Sequence, residues 1–324
     1  MKTNATVVFA AFALLVSSAF APAADAQAYP DRFIRLIVPF APGGATDVLG
    51  RIVGKKIADI VGQPVVVENH PGAGGTIGTE IASRAPADGY TILLVNALAH
   101  TASKKLYPNL KYDPVRSFAP IGSLGTIHYI LVVNRDLPAK DYDAFVKLVK
   151  SAPSKYNYAS AGMGSAPHLA MELFMRAAGV DLVHIPYQGS GPALKDVAGG
   201  HVPIAFDNVA AVPLIKSGQL RALAITGKHR AESLPDVPTF AEVGLSGFDV
   251  AGTWGLIAPA GVPERVGAVL DEALRRAVLD PAVREQLLAQ GIEPESGSAR
   301  EFAAVLQSET EKWSRLIDEA KIKL

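Results

Sequence analysis

The chain of 324 residues contains no cysteine, and this absence excludes several kinds of chemistry. Without a thiol there is no disulfide, no cysteine nucleophile and no thiolate metal site. The acceptor for a lipid anchor after a secretion signal is also missing. We therefore expect a protein that is not lipid-anchored.

An excess of charge of either sign is absent as well. Basic and acidic residues number 31 each, and charged residues make up 19% of the chain. This balance gives no basic surface for nucleic acid and no acidic tail of the kind typical of disorder. Hydrophobic residues make up 49% of the chain, and its length is sufficient for two domains. These values predict a well-buried globular core.

Long apolar runs are missing except near the N-terminus. Lys2 precedes the run VVFAAFALLV, and Ala26-Gln27-Ala28 supplies an A-x-A cleavage pattern. We interpret residues 1–28 as a secretory signal peptide cleaved after Ala28, or alternatively after Ala26. A buried N-terminal helix is the other interpretation, but it does not explain why a basic residue, an apolar run and a stretch of small residues follow one another in this order. No other run reaches the roughly 20 apolar residues of a membrane span, so we expect the mature chain to be secreted and soluble.

Strand-like and helix-like patterns alternate along the rest of the chain, which is typical of parallel α/β structure. The apolar runs at 125–134 and 220–226 are each predicted to be one strand that carries the chain between two lobes. Two such crossings predict a hinge and a cleft. The predicted division is residues 1–28 for the signal peptide, 29–125 plus 227–324 for lobe I, and 126–226 for lobe II.

Four loops share one design, in which a strand leads into a glycine turn with serine or threonine and then into a helix. They span residues 39–48, 68–78, 160–169 and 186–195, two in each predicted lobe. A helix start has unpaired N–H groups and a partial positive charge, and glycine lets a ligand approach this backbone. Such ends lie at the carboxyl edge of a parallel sheet, where open α/β folds bind ligands. We therefore expect an anion to be bound between the lobes.

Backbone donors alone are sufficient for useful affinity. Hydrogen bonds to a charged group contribute about 1.5–3 kcal/mol each, and micromolar binding needs roughly 8 kcal/mol. One such loop is an ordinary α/β connection, but four split between two lobes favour binding. Asp47 at a helix start would repel an anion. It is predicted to cap backbone donors or to meet the ammonium group of an amino-acid ligand.

Six segments together resemble the Bug family, the extracytoplasmic solute-binding proteins of tripartite tricarboxylate transporters. These segments are PFAPGGATDVLGR, ENHPGAGGTIG, SAGMGSAPHLAMELF, IPYQGSGPALKDVAGGHV, FDN and WGLIAPAGVPERV. They occur in the expected order over essentially the whole mature chain. The resemblance implies an α/β, two-lobed periplasmic binding protein of type II, with two Rossmann-like lobes joined by two crossover strands. It implies no cofactor and no metal.

The resemblance also implies a ligand and the residues that hold it. Family ligands are mostly carboxylates, with one carboxylate held by the first two loops through backbone donors and water, and the far end held by the other lobe. Carried onto this sequence, the contacts are Phe40, Ala45, Thr46, Asp47, Gly75, Thr76, Asn96, His100, Ser160, Gly162, Ser165, His168, Tyr187, Gln188 and Asp207.

Other chemistries fit the loops less well. None of the four ends in Gly-Lys-Ser/Thr, and GAGGTI (72–77) displaces the third glycine of a dinucleotide fingerprint to Gly78. GMGSAP is not G-x-S-x-G, so Ser165 is a poor hydrolase nucleophile. The histidines show no metal spacing, and His168 is the one we place in the cleft. Trp254 is assigned to core packing in preference to stacking on a ligand.

Three functions stay open from the sequence. The first is a receptor, by default a monomer, that hands a small organic acid or amino-acid-like solute to integral-membrane transporter subunits. The second is a secreted enzyme on small acids, with His100, His168, Asp47 and Asp207 as candidate bases. The third is a sensory partner that docks on a receptor when loaded. We favour the first, because the loops are rich in donors and lack a nucleophile–base pair.

Overall fold

A computed structural model describes residues 29–322, so the predicted signal peptide lies outside the described residues. The strands are β1 (Ile34–Val38), β2 (Val65–Asn69), β3 (Thr91–Asn96), β4 (Phe118–His128), β5 (Ile130–Asn134), β6 (Asn157–Ser160), β7 (Val183–Pro186), β8 (Ile204–Asp207), β9 (Leu220–Ile225), β10 (Ala251–Pro259), β11 (Ile292–Glu293) and β12 (Gly297–Ser298). The α-helices are α1 (Ala45–Val61), α2 (Thr76–Ser83), α3 (Ala97–Leu106), α4 (Tyr142–Lys150), α5 (Ala166–Ala178), α6 (Ser190–Ala198), α7 (Val212–Lys216), α8 (Glu264–Leu279), α9 (Pro281–Ala289) and α10 (Ala299–Glu319).

The strands form two sheets, one in each lobe. The lobe I sheet has the order β11-β4-β10-β3-β1-β2, with β12 also paired to β4, and the lobe II sheet has the order β7-β6-β8-β5-β9. The strands β2, β1 and β3 are parallel to one another, and so are β7, β6 and β8. The strands next to the lobe crossings are antiparallel, as in β4-β10 and β5-β9. Each sheet is therefore mixed, although the alternating pattern predicted parallel strands.

The first crossing differs from the prediction. The apolar run at 125–134 is not one strand, because β4 ends at His128 in lobe I and β5 begins at Ile130 in lobe II. Tyr129 lies between them, and its N–H donates to Thr226 Oγ1 at 2.8 Å. Thr226 N–H donates back to Tyr129 O at 2.8 Å, and its hydroxyl donates to Val250 O at 2.6 Å. Three segments of the chain, at Tyr129, Thr226 and Val250, are thus joined at one point.

The return crossing lies after β9. Phe240, which the predicted division places in lobe I, stacks on Phe206 of the lobe II sheet with ring centroids 5.7 Å apart. Phe248 packs edge-on against the same ring at 6.0 Å. The lobe boundaries stay a prediction, and these contacts favour a return to lobe I near Val250.

The C-terminal helix α10 spans both lobes. It begins with the predicted capping box, in which Ser298 and Glu301 cap each other's backbone N–H. Phe302 and Leu306 are buried with residues of the lobe I sheet, whereas Trp313 and Ile317 join the cluster that fills lobe II. Burial of one face along its whole length holds this helix across the junction.

Candidate ligand-binding site

The first and fourth glycine loops meet across the cleft. Ala41 N–H at the end of β1 donates to Gln188 O at 2.9 Å. A Cβ atom added to Gly191 would lie 2.6 Å from Pro42 O, and one added to Gly44 would lie 3.3 Å from Ser190 Cβ. The two backbones therefore touch directly, which only residues without a side chain permit at Gly191.

The second and third loops form a similar contact. A Cβ atom added to Gly74 would overlap Met163 O, and Gly74 has a left-handed φ of 62°. Tyr107 at the end of α3 donates its hydroxyl hydrogen to the same Met163 O at 2.7 Å. The structure is thus closed, with the two loops of lobe I seated on the two loops of lobe II.

Two adjoining cavities lie within this closed cleft, and both are lined by Phe40, Asn96 and Ala99. The first-lobe cavity is lined by Pro39, Phe40, Gly74, Gly75, Thr76, Thr79, Val95, Asn96, Ala99, His100, Ser103 and Tyr112. The inter-lobe cavity is lined by Phe40, Gly44, Ala45, Thr46, Asn96, Ala99, Tyr129, Ala161, Ala166, Pro167, Ser190, Asn208 and Trp254. Among the described residues, no lysine, arginine, aspartate or glutamate lines either cavity.

Four helices begin at the wall of the inter-lobe cavity: α1 and α3 of lobe I, and α5 and α6 of the other lobe. Asn96 caps α3 with its side chain, whereas the other three starts have no such cap. Their N-cap residues, Gly44, Ser165 and Gly189, provide no side-chain cap. In contrast, α4 and α9 start away from the cavities and are capped by the carboxylates of Asp141 and Asp280. An uncapped start leaves backbone N–H groups and a partial positive charge for a ligand. The cavity can therefore bind an anion without a cationic side chain.

Asp47 does not weaken this anion site. Its carboxylate accepts hydrogen bonds from Gly43 N–H at 3.1 Å and from Asn69 Nδ2 at 3.0 Å, and it pairs with Arg51 at 2.9 Å. Burial acts to raise the pKa of this carboxyl, but the bonds from Arg51, Gly43 and Asn69 outweigh burial and lower the pKa. Asp47 therefore orders the first loop without lining either cavity, and it accepts from a backbone donor as predicted.

Trp254 is a site residue that sequence analysis assigned to the core. Its side chain lines the inter-lobe cavity and is only 3% exposed. The indole Nε1–H has no hydrogen-bond partner among the described residues. Indole nitrogen is a donor and never an acceptor, so this wall adds a side-chain donor to the backbone donors.

The chain matches the tripartite tricarboxylate transporter family receptor over residues 49–322. The chain belongs to this receptor family. Its resemblance to the Bug family is thereby confirmed, and the protein is a solute receptor of the tripartite tricarboxylate transporter type.

Individual relatives agree with this assignment. BugT of Bordetella pertussis is 36% identical over 324 residues, which cover 99% of both chains. The periplasmic binding protein BugD superimposes with a TM-score of 0.88 at 35% identity, over 91% of this chain and 99% of that one. MatC from Rhodopseudomonas palustris with bound malate gives a TM-score of 0.86 at 34% identity, over 89% and 100%. The predicted two-lobed binding-protein fold is confirmed.

Seven predicted contacts of the receptor line the cavities: Phe40, Ala45, Thr46, Gly75, Thr76, Asn96 and His100. All seven come from lobe I. Asn96 lies between the two cavities, where its Nδ2 donates to Tyr129 Oη at 3.1 Å and its Oδ1 accepts from Ala99 N–H at 3.4 Å. The lobe I part of the predicted site is therefore brought together by the fold.

Eight other predicted contacts lie outside the lining of both cavities: Asp47, Ser160, Gly162, Ser165, His168, Tyr187, Gln188 and Asp207. Tyr187 donates to Asp196 at 2.6 Å, and Gln188 contributes its carbonyl to the loop contact with Ala41. His168 Nδ1 accepts from Gly164 N–H at 3.1 Å. Tyr187, Gln188 and His168 thus order the loops of lobe II, and direct contact with a ligand stays a prediction for all eight residues.

Asp207 lies at the end of β8 and is completely buried. Its Oδ1 accepts from Asn208 N–H at 2.8 Å, and its Oδ2 has no partner among the described residues. Burial raises the pKa of this carboxyl to about 7, against hydrogen bonds from Asn208 and Ser190. Asn208 and Ser190 themselves line the inter-lobe cavity, so the neighbours of Asp207 reach the ligand space and Asp207 does not.

A serine–histidine contact, of the kind that the enzyme hypothesis requires, lies at the end of β6. Ser160 Oγ lies 2.6 Å from His184 Nε2. However, Ser160 is 0% exposed and lines neither cavity, and its Oγ also accepts from Gly162 N–H at 3.1 Å. Burial lowers the pKa of His184 to about 3, with a smaller contribution from His168. This pair orders the third loop and has no open route to a substrate.

Proposed function

We propose that this receptor captures a small carboxylate in the inter-lobe cavity and delivers it to the integral-membrane subunits of a tripartite tricarboxylate-type transporter. The observation that carries this proposal is the convergence of three uncapped helix starts from both lobes, without a charged side chain on the cavity wall. A carboxylate bound there would hold the two lobes together. The malate in MatC supports a ligand of this class.

The same wall supports a role as a receptor over a role as an enzyme. Among the described residues, the one ionisable side chain that lines the inter-lobe cavity is the phenol of Tyr129, and burial raises its pKa, so the wall lacks a group that exchanges a proton near neutral pH. General acid–base catalysis needs such a group within hydrogen-bond reach of the substrate. We expect a bound acid to be released unchanged, which proton NMR of the acid after incubation with the receptor will show.

The proposed role also requires export of the chain to the periplasm. Residues 1–28 act as a secretory signal in this proposal, and the mature receptor works in the periplasm. No helix of residues 29–322 is long and apolar enough to cross a membrane. Mass spectrometry of the periplasmic protein is expected to place the mature N-terminus after Ala28, or after Ala26.

Ala45→Pro tests the anion site with a minimal change. Ala45 is the first residue of α1, and Gly44 before it has the extended backbone, φ −89° and ψ 172°, that a following proline favours. Proline is tolerated at this position and removes one backbone N–H. Losing one hydrogen bond to a charged group should weaken carboxylate binding about 10- to 100-fold. A panel of carboxylates, measured by thermal shift and then by calorimetry, supplies the ligand.

Ala299→Pro is the matched control. Ala299 is the first residue of α10 and also follows an extended N-cap residue, Ser298 with ψ 166°. This helix start lies outside both cavities. The control variant should bind the same carboxylate like the parent. Equal affinity of both variants, or no binding by any carboxylate, would contradict the proposed function.

A further inference from the structure

The two cavities of the cleft differ in the hydrogen-bonding groups that they leave free. Among the buried side-chain atoms without a partner in residues 29–322, two belong to cavity-lining residues. Trp254, whose Nε1 is unpaired, lines the inter-lobe cavity, and His100, whose Nδ1 is unpaired, lines the first-lobe cavity. Buried polar atoms are rarely left unpaired in a folded protein, so each unpaired atom on a cavity wall points to a ligand group or water.

His100, on the wall of the first-lobe cavity, carries an unpaired acceptor. Its Nε2 lies 2.7 Å from Pro114 O, and because a carbonyl can only accept, Nε2 carries the proton. Nδ1 is then an unprotonated acceptor. Burial lowers the pKa of His100 to about 4, so the ring stays neutral near pH 7. The side chain is 6% exposed and is fixed by Tyr112 and Phe118, whose ring centroids lie 6.4 and 5.4 Å away.

Four donors on the wall of the first-lobe cavity are already used within the protein. Gly75 N–H donates to Gly72 O at 3.0 Å, and Thr76 Oγ1 donates to Ala73 O at 2.9 Å. Thr79 Oγ1 donates to Gly75 O at 2.8 Å, and Ser103 Oγ donates to His100 O at 2.6 Å. A second carboxylate in this cavity would therefore meet the lone pair of Nδ1 with few free donors to hold it. A ligand group that carries its own hydrogen suits the cavity better.

The inter-lobe cavity has the opposite character. Trp254 Nε1–H is a free donor, and the starts of α1, α5 and α6 carry no side-chain cap. Phe40, Asn96 and Ala99 belong to both walls, so one ligand can reach both cavities. We infer that the ligand is a carboxylate with a separate hydrogen-bond donor, hydroxyl or ammonium. Trp254 Nε1 binds its carboxylate, and His100 Nδ1 accepts from its donor.

This inference rests on the proposed function and narrows the substrate class. A buried acceptor discriminates strongly, because an analogue without the donor leaves it unpaired. Matched acids provide the test: succinate, malate and aspartate differ only in hydrogen, hydroxyl or ammonium at one carbon, and benzoate and 4-hydroxybenzoate form an aromatic pair. In the series that binds most tightly, the member with a donor should bind about tenfold more tightly than the member without one. Comparison of malate with aspartate identifies the donor.

Variants at His100 separate recognition from folding. His100→Phe removes the acceptor and should abolish the preference, so that the donor-bearing acid and the unsubstituted acid bind this variant with equal affinity. His100→Gln keeps a donor for Pro114 O and an acceptor for the ligand, and should retain the preference. Circular dichroism and thermal unfolding check that each variant is folded. If the parent shows no preference, or if folded His100→Phe keeps it, the inference is wrong and the proposed function stands.

Trp254→Phe tests the other end of the ligand. This change keeps an aromatic ring and removes the N–H. It should weaken the binding of both acids of a matched pair equally, by about tenfold or more, and leave the preference for the donor-bearing acid intact. Unchanged affinity in this variant would contradict the role of Trp254. If no carboxylate binds the parent receptor at all, the proposed function fails first, and that outcome differs from a loss of preference.

Discussion

Ala41 and Gln188 join the two lobes through their backbones, with the N–H of Ala41 donating to the carbonyl of Gln188 at 2.9 Å. These residues lie in glycine loops that the sequence places almost 150 positions apart. Their bond forms only when the lobes are closed. The receptor thus seals its cleft with backbone contacts, which leaves the neighbouring helix starts free for a solute.

Gly74→Ala should prevent complete closure. A Cβ atom at this position would overlap Met163 O of the other lobe. We expect carboxylate affinity to fall about tenfold or more, because the overlap opposes the closed state. Calorimetry measures the affinity, and small-angle scattering measures whether the ligand still makes the receptor more compact.

Gly218→Ala is the control for Gly74→Ala. Gly218 has a similar left-handed φ of 72°, but a Cβ atom there meets nothing within 4 Å. Both variants should lose about 1–2 kcal/mol of stability from backbone strain. Only Gly74→Ala should lose affinity and compaction. Similar affinities for the two variants would show that the contact with Met163 is dispensable.

Asp47→Asn should destabilise the first loop. The carboxylate accepts from Gly43 and pairs with Arg51, so we expect a loss of about 1.5–3 kcal/mol in the free energy of unfolding at pH 7. The exposed Asp59 lies on the same helix, and Asp59→Asn should change stability by less than about 0.5 kcal/mol. Urea unfolding at pH 7 measures both.

The pH dependence of Asp47 has a definite sign. Its pKa is lowered in the folded state from the ordinary 3.8, so its contribution is present above pH 3.8 and is lost as the pH falls through the lower, folded value. The stability difference between the parent and Asp47→Asn should therefore shrink below about pH 4. A difference that stays constant down to pH 2 would contradict the proposed charge interaction.

Asp207→Asn should have the opposite pH dependence. Burial raises the pKa of Asp207 from 3.8 to about 7, so the folded state binds a proton that the unfolded state releases. Relative to the variant, the parent should be most stable near pH 4, lose up to about 4 kcal/mol as the pH rises to about 7, and change little above that. Thermal unfolding from pH 4 to 9 measures this, and parallel curves for the two proteins would mean that Asp207 does not titrate in this range.

Sequence reasoning located the backbone of the site because its signals are local. The glycine turns before α1, α2, α5 and α6 are visible as strand–turn–helix patterns, and they are the loops that meet across the cleft. The stop of α1 at Gly62, with a left-handed φ of 73°, is a local signal of the same kind.

The features that sequence analysis did not predict depend on contacts between distant parts of the chain. The sequence around Tyr129 stays apolar where the chain passes from the lobe I sheet to the lobe II sheet. Only the hydrogen bonds with Thr226 mark this passage, and they are not visible in the sequence. The short strands β11 and β12 have two residues each, too few for an alternating pattern. Trp254 is apolar in sequence, and its free N–H is recognisable only beside the helix starts of the other lobe.

A crystal structure of the receptor with its tightest-binding carboxylate tests the central claim most directly. We expect a carboxylate group in the inter-lobe cavity within hydrogen-bond distance, about 2.7–3.2 Å, of backbone N–H groups at the helix starts and of Trp254 Nε1. A carboxylate held by lysine or arginine, or bound outside the closed cleft, would contradict the account.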